Sequence, residues 1–431
     1  MKTSFALKEN KTTIKTEIVA GITTFLAMMY IIVVNPAILS SAGMSFNAVL
    51  TATVLVSAFS SIAMGLYANN PIALAPGMGL NAFFAFSVVQ GMDVSWPVAL
   101  GAVFWSGVIF LLLSVFNIRT LILQSIPRQL RFAIAVGIGL FIAVIGLFNA
   151  KFVSVAEAGI LTRGAFTPSL LTFVAGLGIT SILMAKRVNG ALILGIVLTT
   201  LLALPIGRLW GETPLVQWNG FFAPPDFSLL FALDLTHSLK LSIFPVIFAF
   251  VFTDMFDSLS TFIGVAEAGN LIDDKGEPRN IKQSLIVDAL STTISGLFGS
   301  SAGTSYIESA AGIEEGGRTG LTAVVTGLLF LPFMFFSPLL STIPQIATAP
   351  ALVLVGVFMM QPIKKINWEK LDDAIPAFLA MILIPMTYSI TQGLIWGFLS
   401  WTLIKWASGK REEVPGMLLI IDTFCILGLV L

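Results

Sequence analysis

Along the chain, apolar runs of roughly 17 to 25 residues alternate with short polar breaks, the length a helix needs to cross a bilayer core. Runs near 17–39, 48–68, 96–117, 130–149, 168–186, 190–206, 238–266, 283–298, 319–341, 346–362, 374–388 and 391–407 each predict a span. Two further segments, near 72–90 and 302–316, are hydrophobic yet interrupted, and they bring the expected count to fourteen. The first continues AFSSIAMGLYANNPIALAPGMGLNAFF (Ala58 to Phe84) and the second ALSTTISGLFGSSAGTSYIESAAGIEE (Ala289 to Glu315). At a constant offset of 231 residues, GLYANN falls on GLFGSS, and Pro76, Gly77 and Asn81 share a half-helix with Ile307, Glu308 and Gly312. Interrupted segments at matching positions of two halves mark the central site of a secondary transporter. A final stretch, Gly416 to Leu431, is short and holds Asp422, so it either lies in the interface or completes a span.

Charge orients this pattern. With the N-terminus in the cytoplasm and fourteen crossings, only Lys151, Arg163, Arg208 and Lys240 of the 23 Lys and Arg residues fall outside. The split is strongly positive-inside, and it places the loop around Asp273 to Lys275 in the cytoplasm and the Gly207 to His237 loop outside. Seven crossings per half is an odd number, so the second half is expected to enter upside down relative to the first. The duplication extends to Ala42-Gly43 and Ala268-Gly269, to Ile126-Pro127 and Ile343-Pro344, and to Gly190–Gly195 and Gly393–Gly397. The expected fold is therefore an all-α polytopic membrane protein, a 7+7 inverted repeat with short broken strand and half-helix segments at positions 3 and 10.

Composition agrees. At 56% hydrophobic and 11% charged residues, with a mean hydropathy of +0.95, the chain is excluded from the water-soluble globular class. A net charge of zero argues against nucleic acid as a partner and leaves membrane lipid. The single Cys425 excludes an internal disulfide. The first 17 residues are polar and lack a signal-peptide core, so the first span is expected to be retained. The longest loop, Gly207 to His237, reads as an external cap or a linker between halves.

The chemistry concentrates in the second half. FVFTDMFDSLSTF sets Asp254 and Asp257 three residues apart on one helix face. An acid at bilayer depth costs roughly 2.5–3.5 kcal/mol, so the pair needs a cavity, a partner such as Thr253 or Ser258, or a proton. Glu308, in TSYIESAAG, begins a half-helix whose free N–H groups favour an anion, and a simple capping role is the alternative. Glu314 and Glu315 read as surface residues. The matching half-helix of the first repeat offers Asn81 behind APGMG, where Gly77 lets backbone approach a ligand. Phe83 and Phe84 are candidates either to stack on a planar ring or simply to pack. Asn35-Pro36 breaks the first span or merely kinks it. The lone His237 sits at a span's outer end and reads as an interface residue.

AGITTFLAMMYIIVVNPAIL, APGMGLNAFF, TDMFDSLST, TSYIESAAGIEEGGRTGLTAV and PMTYSI-x-x-G resemble, in order and over nearly the whole chain, the AzgA-like purine permeases, relatives of the nucleobase–ascorbate transporters. The resemblance implies a core domain (1–126 and 237–342) moving against a gate domain (127–236 and 343–431). It also implies proton-coupled uptake of purine bases, commonly by a homodimer, here in a bacterial inner membrane with no cofactor besides the coupling ion. By matching motif, Asn81, Asp254 and Glu308 become the essential polar residues and Asp257 joins the substrate site, with Phe83, Gly77 and Ser305 beside them. Many members carry D-x-x-D-T-x-G-T where this chain has Ser258, Leu259 and Ser260 after Asp257, a departure that bears on preference among purines.

A purine is flat, apolar on its faces and edged with donors and acceptors, so it needs a slot with carboxylate acceptors and amide or backbone donors. The expected arrangement has Glu308 accepting ring N–H bonds while Asn81 and the Gly77–Asn81 turn complete the edge. Asp254 carries the proton, since burial in low dielectric favours the neutral acid; Glu308 also counts as a coupling candidate. The rival is an anion transporter on the same 7+7 scaffold, which three acids and no base at the site disfavour. A channel would need rings of equivalent groups along a path. An enzyme is unsupported, with neither a zinc motif nor a serine in a G-x-S-x-G context.

Overall fold

The computed structural model describes residues 5–116, 126–156, 161–209, 215–269, 271–272 and 278–430. Lys2, Arg119, the 273–275 loop and residues 210–214 of the long loop lie outside them. Among the described residues seven helices are long and apolar enough to cross a membrane, and four shorter apolar helices accompany them. The protein is a helical, multi-pass integral membrane protein.

In chain order the first part runs α1 (Ile14–Met28), α2 (Ile31–Ser40), α3 (Phe46–Ala63), a π-helical turn Met64–Ala68, β1 (Leu74–Pro76), α4 (Met78–Ala82) continuing as a π-helix Phe83–Gly91, and α5 (Trp96–Val115). Then come α6 (Arg128–Asn149), a small hairpin of β2 (Val153–Val155) and β3 (Leu161–Arg163), α7 (Pro168–Ala185) and α8 (Ala191–Leu209). The second part holds α9 (Phe244–Gly269), α10 (Ile281–Phe298), β4 (Gly303–Ser305), α11 (Ser309–Glu314), α12 (Gly320–Phe330) and α13 (Ser337–Ser341). It closes with α14 (Gln345–Met359), α15 (Leu371–Thr387), α16 (Ile390–Ala407) and α17 (Gly416–Val430).

Helix packing sorts these elements into two bundles. The densest contacts join α1, α3, α5, α10 and α12 in one group and α6, α7, α8, α14, α15 and α16 in the other, with thinner contacts between the groups. Apolar helices in a membrane gain little from burying apolar surface, so close backbone approach supplies the packing energy. Small residues allow it here. A Cβ on Gly65 would strike the backbone of Gly320, and one on Gly139 would meet the Gly356 carbonyl at 2.8 Å. The last helix, α17, lies against α16, and its Asp422 accepts a 2.6 Å bond from Thr402. At the other end of the α16 hairpin, buried Lys405 pairs with Asp372 (2.8 Å), Asp373 (3.1 Å) and Glu413 (2.8 Å).

Candidate functional site

The two short strands meet at the centre of the first bundle. β1 and β4 run antiparallel, with Leu74 opposite Ser305, Ala75 opposite Thr304 and Pro76 opposite Gly303. Backbone bonds extend the ladder at both ends, from Gly77 N–H to Ala302 O (2.9 Å) and from Tyr306 N–H to Ala73 O (3.0 Å). Side chains take up what the ladder leaves open. Ser61 bonds both backbone groups of Leu74 (2.9 and 3.1 Å), and Ser309 Oγ accepts from Ala73 N–H at 3.0 Å. Non-helical backbone is tolerated inside a membrane protein when every polar group finds such a partner. The chain reaches each strand through a left-handed residue, Asn69 (φ 49°) before β1 and Gly299 (φ 87°) before β4.

Acids ring this crossing in two layers. The inner layer is buried. Asp254 accepts from Thr292 Oγ1 at 2.5 Å and lies 3.5 Å from Ser258 Oγ, whereas the hydroxyl of Thr253 has no partner among the described residues. Asp288, on α10, accepts from the backbone N–H of Ser305 at 3.0 Å and from the hydroxyl of Ser258, which also lies 2.9 Å from Thr304 Oγ1. The outer layer is half-buried and consists of Asp257, one turn beyond Asp254 on α9, and Glu308, which immediately precedes α11. Glu308 makes no side-chain capping bond. It accepts instead a 2.6 Å bond from Tyr30 Oη, at the junction of α1 and α2. Asp257, Glu308, Tyr30 and Tyr306 are near enough to act on one another electrostatically. Ile307, beside Glu308, is 47% exposed.

The remaining candidates fall around the same crossing with differing roles. Asn81 is fully buried; its Oδ1 accepts from the Ser301 hydroxyl and its Nδ2 lies 3.5 Å from Pro76 O. Tyr306 Oη donates to that same Pro76 carbonyl at 2.6 Å. Gly77 is held against Thr304, whose methyl a Cβ would strike. Ser305 presents its N–H to Asp288, and its hydroxyl lies 3.5 Å from Ser258 O. Phe83 is fully buried in an edge-to-face contact with Phe250, with ring centroids 4.8 Å apart, so its ring is used in packing. Asn35 is also buried, donating to Thr53 (2.8 Å) and Ser300 (3.1 Å). His237 lies apart, exposed and 2.7 Å from Asp234. The Asp234 carboxyl is held below its ordinary range, first by the backbone N–H of His237. Glu314 and Glu315 are exposed.

Five residues of the cluster escape a sequence pattern search: Tyr30, Asp288, Ser301, Thr304 and Tyr306. Asp288 obeys the same rule as Asp254, an acid inside the apolar run IVDALSTTIS. Two of the four tyrosines in the chain stand here, one of them in the TSYIES motif itself.

The Permease family (Xan_ur_permease) matches residues 15–395. Adenine permease AdeP of Escherichia coli is 43% identical over 99% of this chain and 95% of its own length. Guanine/hypoxanthine permease PbuO of Bacillus subtilis is 41% identical, over 96% of this chain and 97% of its own. A putative permease, MJ0326, of Methanocaldococcus jannaschii is 44% identical over 97% and 95%. Among solved structures, the transmembrane domain of the cyanobacterial bicarbonate transporter BicA superposes with a TM-score of 0.65 at 17% identity, covering 88% of this chain and 97% of that domain. SLC26A9 gives 0.63 at 11%, covering 92% and 67%. These two likenesses concern the fold.

Proposed function

The chain belongs to the Permease family, and from that membership we propose that it carries purine nucleobases, adenine, guanine or hypoxanthine, across the membrane by alternating access. The observation that carries the reading is the pair of half-buried acids, Glu308 and Asp257, beside the strand crossing. A purine edge offers N–H groups to carboxylate oxygens, and a charge-assisted bond of this kind is worth about 1.5–3 kcal/mol. Glu308 and Asp257 take that edge, while Asn81, Ser305 and the Gly77 turn hold the crossing in shape behind it. Tyr30 orients Glu308 by occupying one of its lone pairs.

Asp254 lies one layer deeper, with Thr292 as donor and Ser258 Oγ 3.5 Å away, and serves as the proton carrier. A buried acid that shares hydroxyl partners with the substrate layer transmits its charge state through Ser258 and Thr304 without touching the base. The fourteen-crossing inverted repeat is supported by the two residues that precede α4 and α11, Gly77 and Glu308, which stand at the same 231-residue offset as the sequence duplication. The two bundles support a core (1–126 and 237–342) and a gate (127–236 and 343–431). The proposed setting is a bacterial inner membrane, N-terminus inside, as a homodimer. Acids surrounding the crossing disfavour an anion as the cargo.

Uptake of radiolabelled adenine, guanine, hypoxanthine, uracil and sulfate into cells lacking endogenous permeases tests the reading. Purine accumulation that collapses with a protonophore is expected. Sulfate accumulation without purine uptake overturns it.

A further inference from the structure

A second polar cavity lies where the amino-terminal segment, the end of α9 and the end of α11 come together. Its volume is about 570 Å³, within the range that accommodates small organic ligands. Lys11, Arg279 and Arg318 line it together with Thr12, and Leu271 and Ile272 give it an apolar side; Glu9 is the one acid among its described lining residues. Both arginines are held in place by neutral acceptors. Arg279 donates to Asn10 Oδ1, to Asn69 O at 3.1 Å and to Arg318 O at 2.7 Å. Arg318 donates to Ile313 O (2.6 Å) and Gly317 O (2.7 Å). The nearby carboxylate of Glu17 is engaged by backbone N–H groups of Arg318, Thr319 and Thr322. Two buried groups at the cavity, Arg279 Nε and Thr12 Oγ1, have no hydrogen-bond partner among the described residues. Lys11 is exposed.

We propose that this cavity binds the phosphate group of an organic phosphate, with Lys11, Arg279 and Arg318 as the cationic wall and Leu271 and Ile272 against the organic part. Guanidinium groups fixed by carbonyls, with donors left over, suit a phosphate better than a lone carboxylate, because a phosphate has more acceptor oxygens to distribute among them. The shared chemistry admits two sources, a free nucleoside monophosphate or the headgroup of an anionic phospholipid. The site ties the end of the helix that carries Asp254 and Asp257 to the end of the half-helix that begins at Glu308. Both belong to the proposed core, so an occupant braces the core without bridging it to the gate, and the binding does not rest on the transport reading.

Purified full-length protein in lipid-free detergent is titrated with inorganic phosphate, adenosine monophosphate and dihexanoyl phosphatidylglycerol, with calorimetry and thermal stability as readouts. Saturable binding of at least one organic phosphate is expected, tighter than that of inorganic phosphate and weaker at high salt. Lys11→Gln should weaken it roughly two- to fivefold, and Arg318→Gln about tenfold. A response to the nucleotide alone assigns a soluble ligand, and one to the lipid alone assigns a headgroup. No saturable binding of any probe, or equal binding in wild type and Lys11→Gln, overturns the site. Monodisperse elution checks the fold of each variant, and if Arg318→Gln fails it, Lys11→Gln decides. Loss of purine binding by a well-folded wild type counts against the transport reading and leaves the phosphate site standing.

Discussion

Tyr30 leaves Glu308 with lone pairs to spare, and this decides what each substitution at the crossing does. Glu308→Gln keeps the shape and removes the charge, so purine affinity should fall by about 1.5–3 kcal/mol, tenfold to more than a hundredfold in uptake KM. Exposed Glu314, at the far end of α11, is the control. Equal losses for Glu308→Gln and Glu314→Gln would remove the substrate from the Tyr30–Glu308 pair. For Asp254→Asn the expectation differs in kind: uphill accumulation disappears while exchange of labelled for unlabelled purine persists. Sodium-dependent uptake that ignores a protonophore would refute proton carriage by this residue. The acids Asp254, Asp257 and Glu308 stand out in the sequence because a carboxylate inside an apolar run is costly and demands a reason. Asp288 carries the same cost yet stands alone, with no second acid one turn away and no helix break beside it. Tyr30 gives no signal of that sort, since a neutral aromatic inside an apolar run reads as packing, and its meaning depends on a contact with a residue 278 positions away.

At the level of elements, Pro76-Gly77 and the Gly-Ser-Ser-Ala-Gly run announce that helices break here, but not that the two breaks pair as strands. Three-residue strands are too short to show an alternating pattern, and their partners are brought together only by the packing of α3 and α10 around them. The π-helical turns after α3 and α4 are equally silent, because they differ from α-helix in hydrogen-bond register and not in composition. Elsewhere one element caps another across the fold. Glu17 of α1 accepts from the backbone N–H groups of Arg318 (2.9 Å), Thr319 (3.2 Å) and Thr322 (3.3 Å) and from the Thr322 hydroxyl (2.6 Å) at the start of α12. Glu17→Ala would strand these donors, a loss of about 1–3 kcal/mol. Purified variant protein should melt at a lower temperature than wild type, with Glu17→Gln intermediate. Unchanged melting in Glu17→Ala would mean that α12 is held by its helix packing alone.

For the molecule as a whole, a few contacts bridge the two bundles. Gly79 of α4 packs against Ile138 of α6, and the Ser87 hydroxyl donates to the Tyr388 carbonyl at the end of α15. Sparse contact between two internally tight bundles suits rigid-body movement, since little has to break when one slides past the other. The proposed inverted repeat gives that movement its symmetry, and it stands or falls with the odd number of crossings per half. Gly220, in the long loop before α9, and Lys282, at the start of α10, are both well placed for a label and lie at opposite ends of α9. In a Cys425→Ser background, Gly220→Cys should react with an impermeant maleimide from outside intact cells, and Lys282→Cys only after the membrane is opened. A single crossing separates the two positions, so labelling from the same side would require an even number between them. That result would cancel the reversal of the second half and, with it, the matching of Gly77 to Glu308 across the midplane.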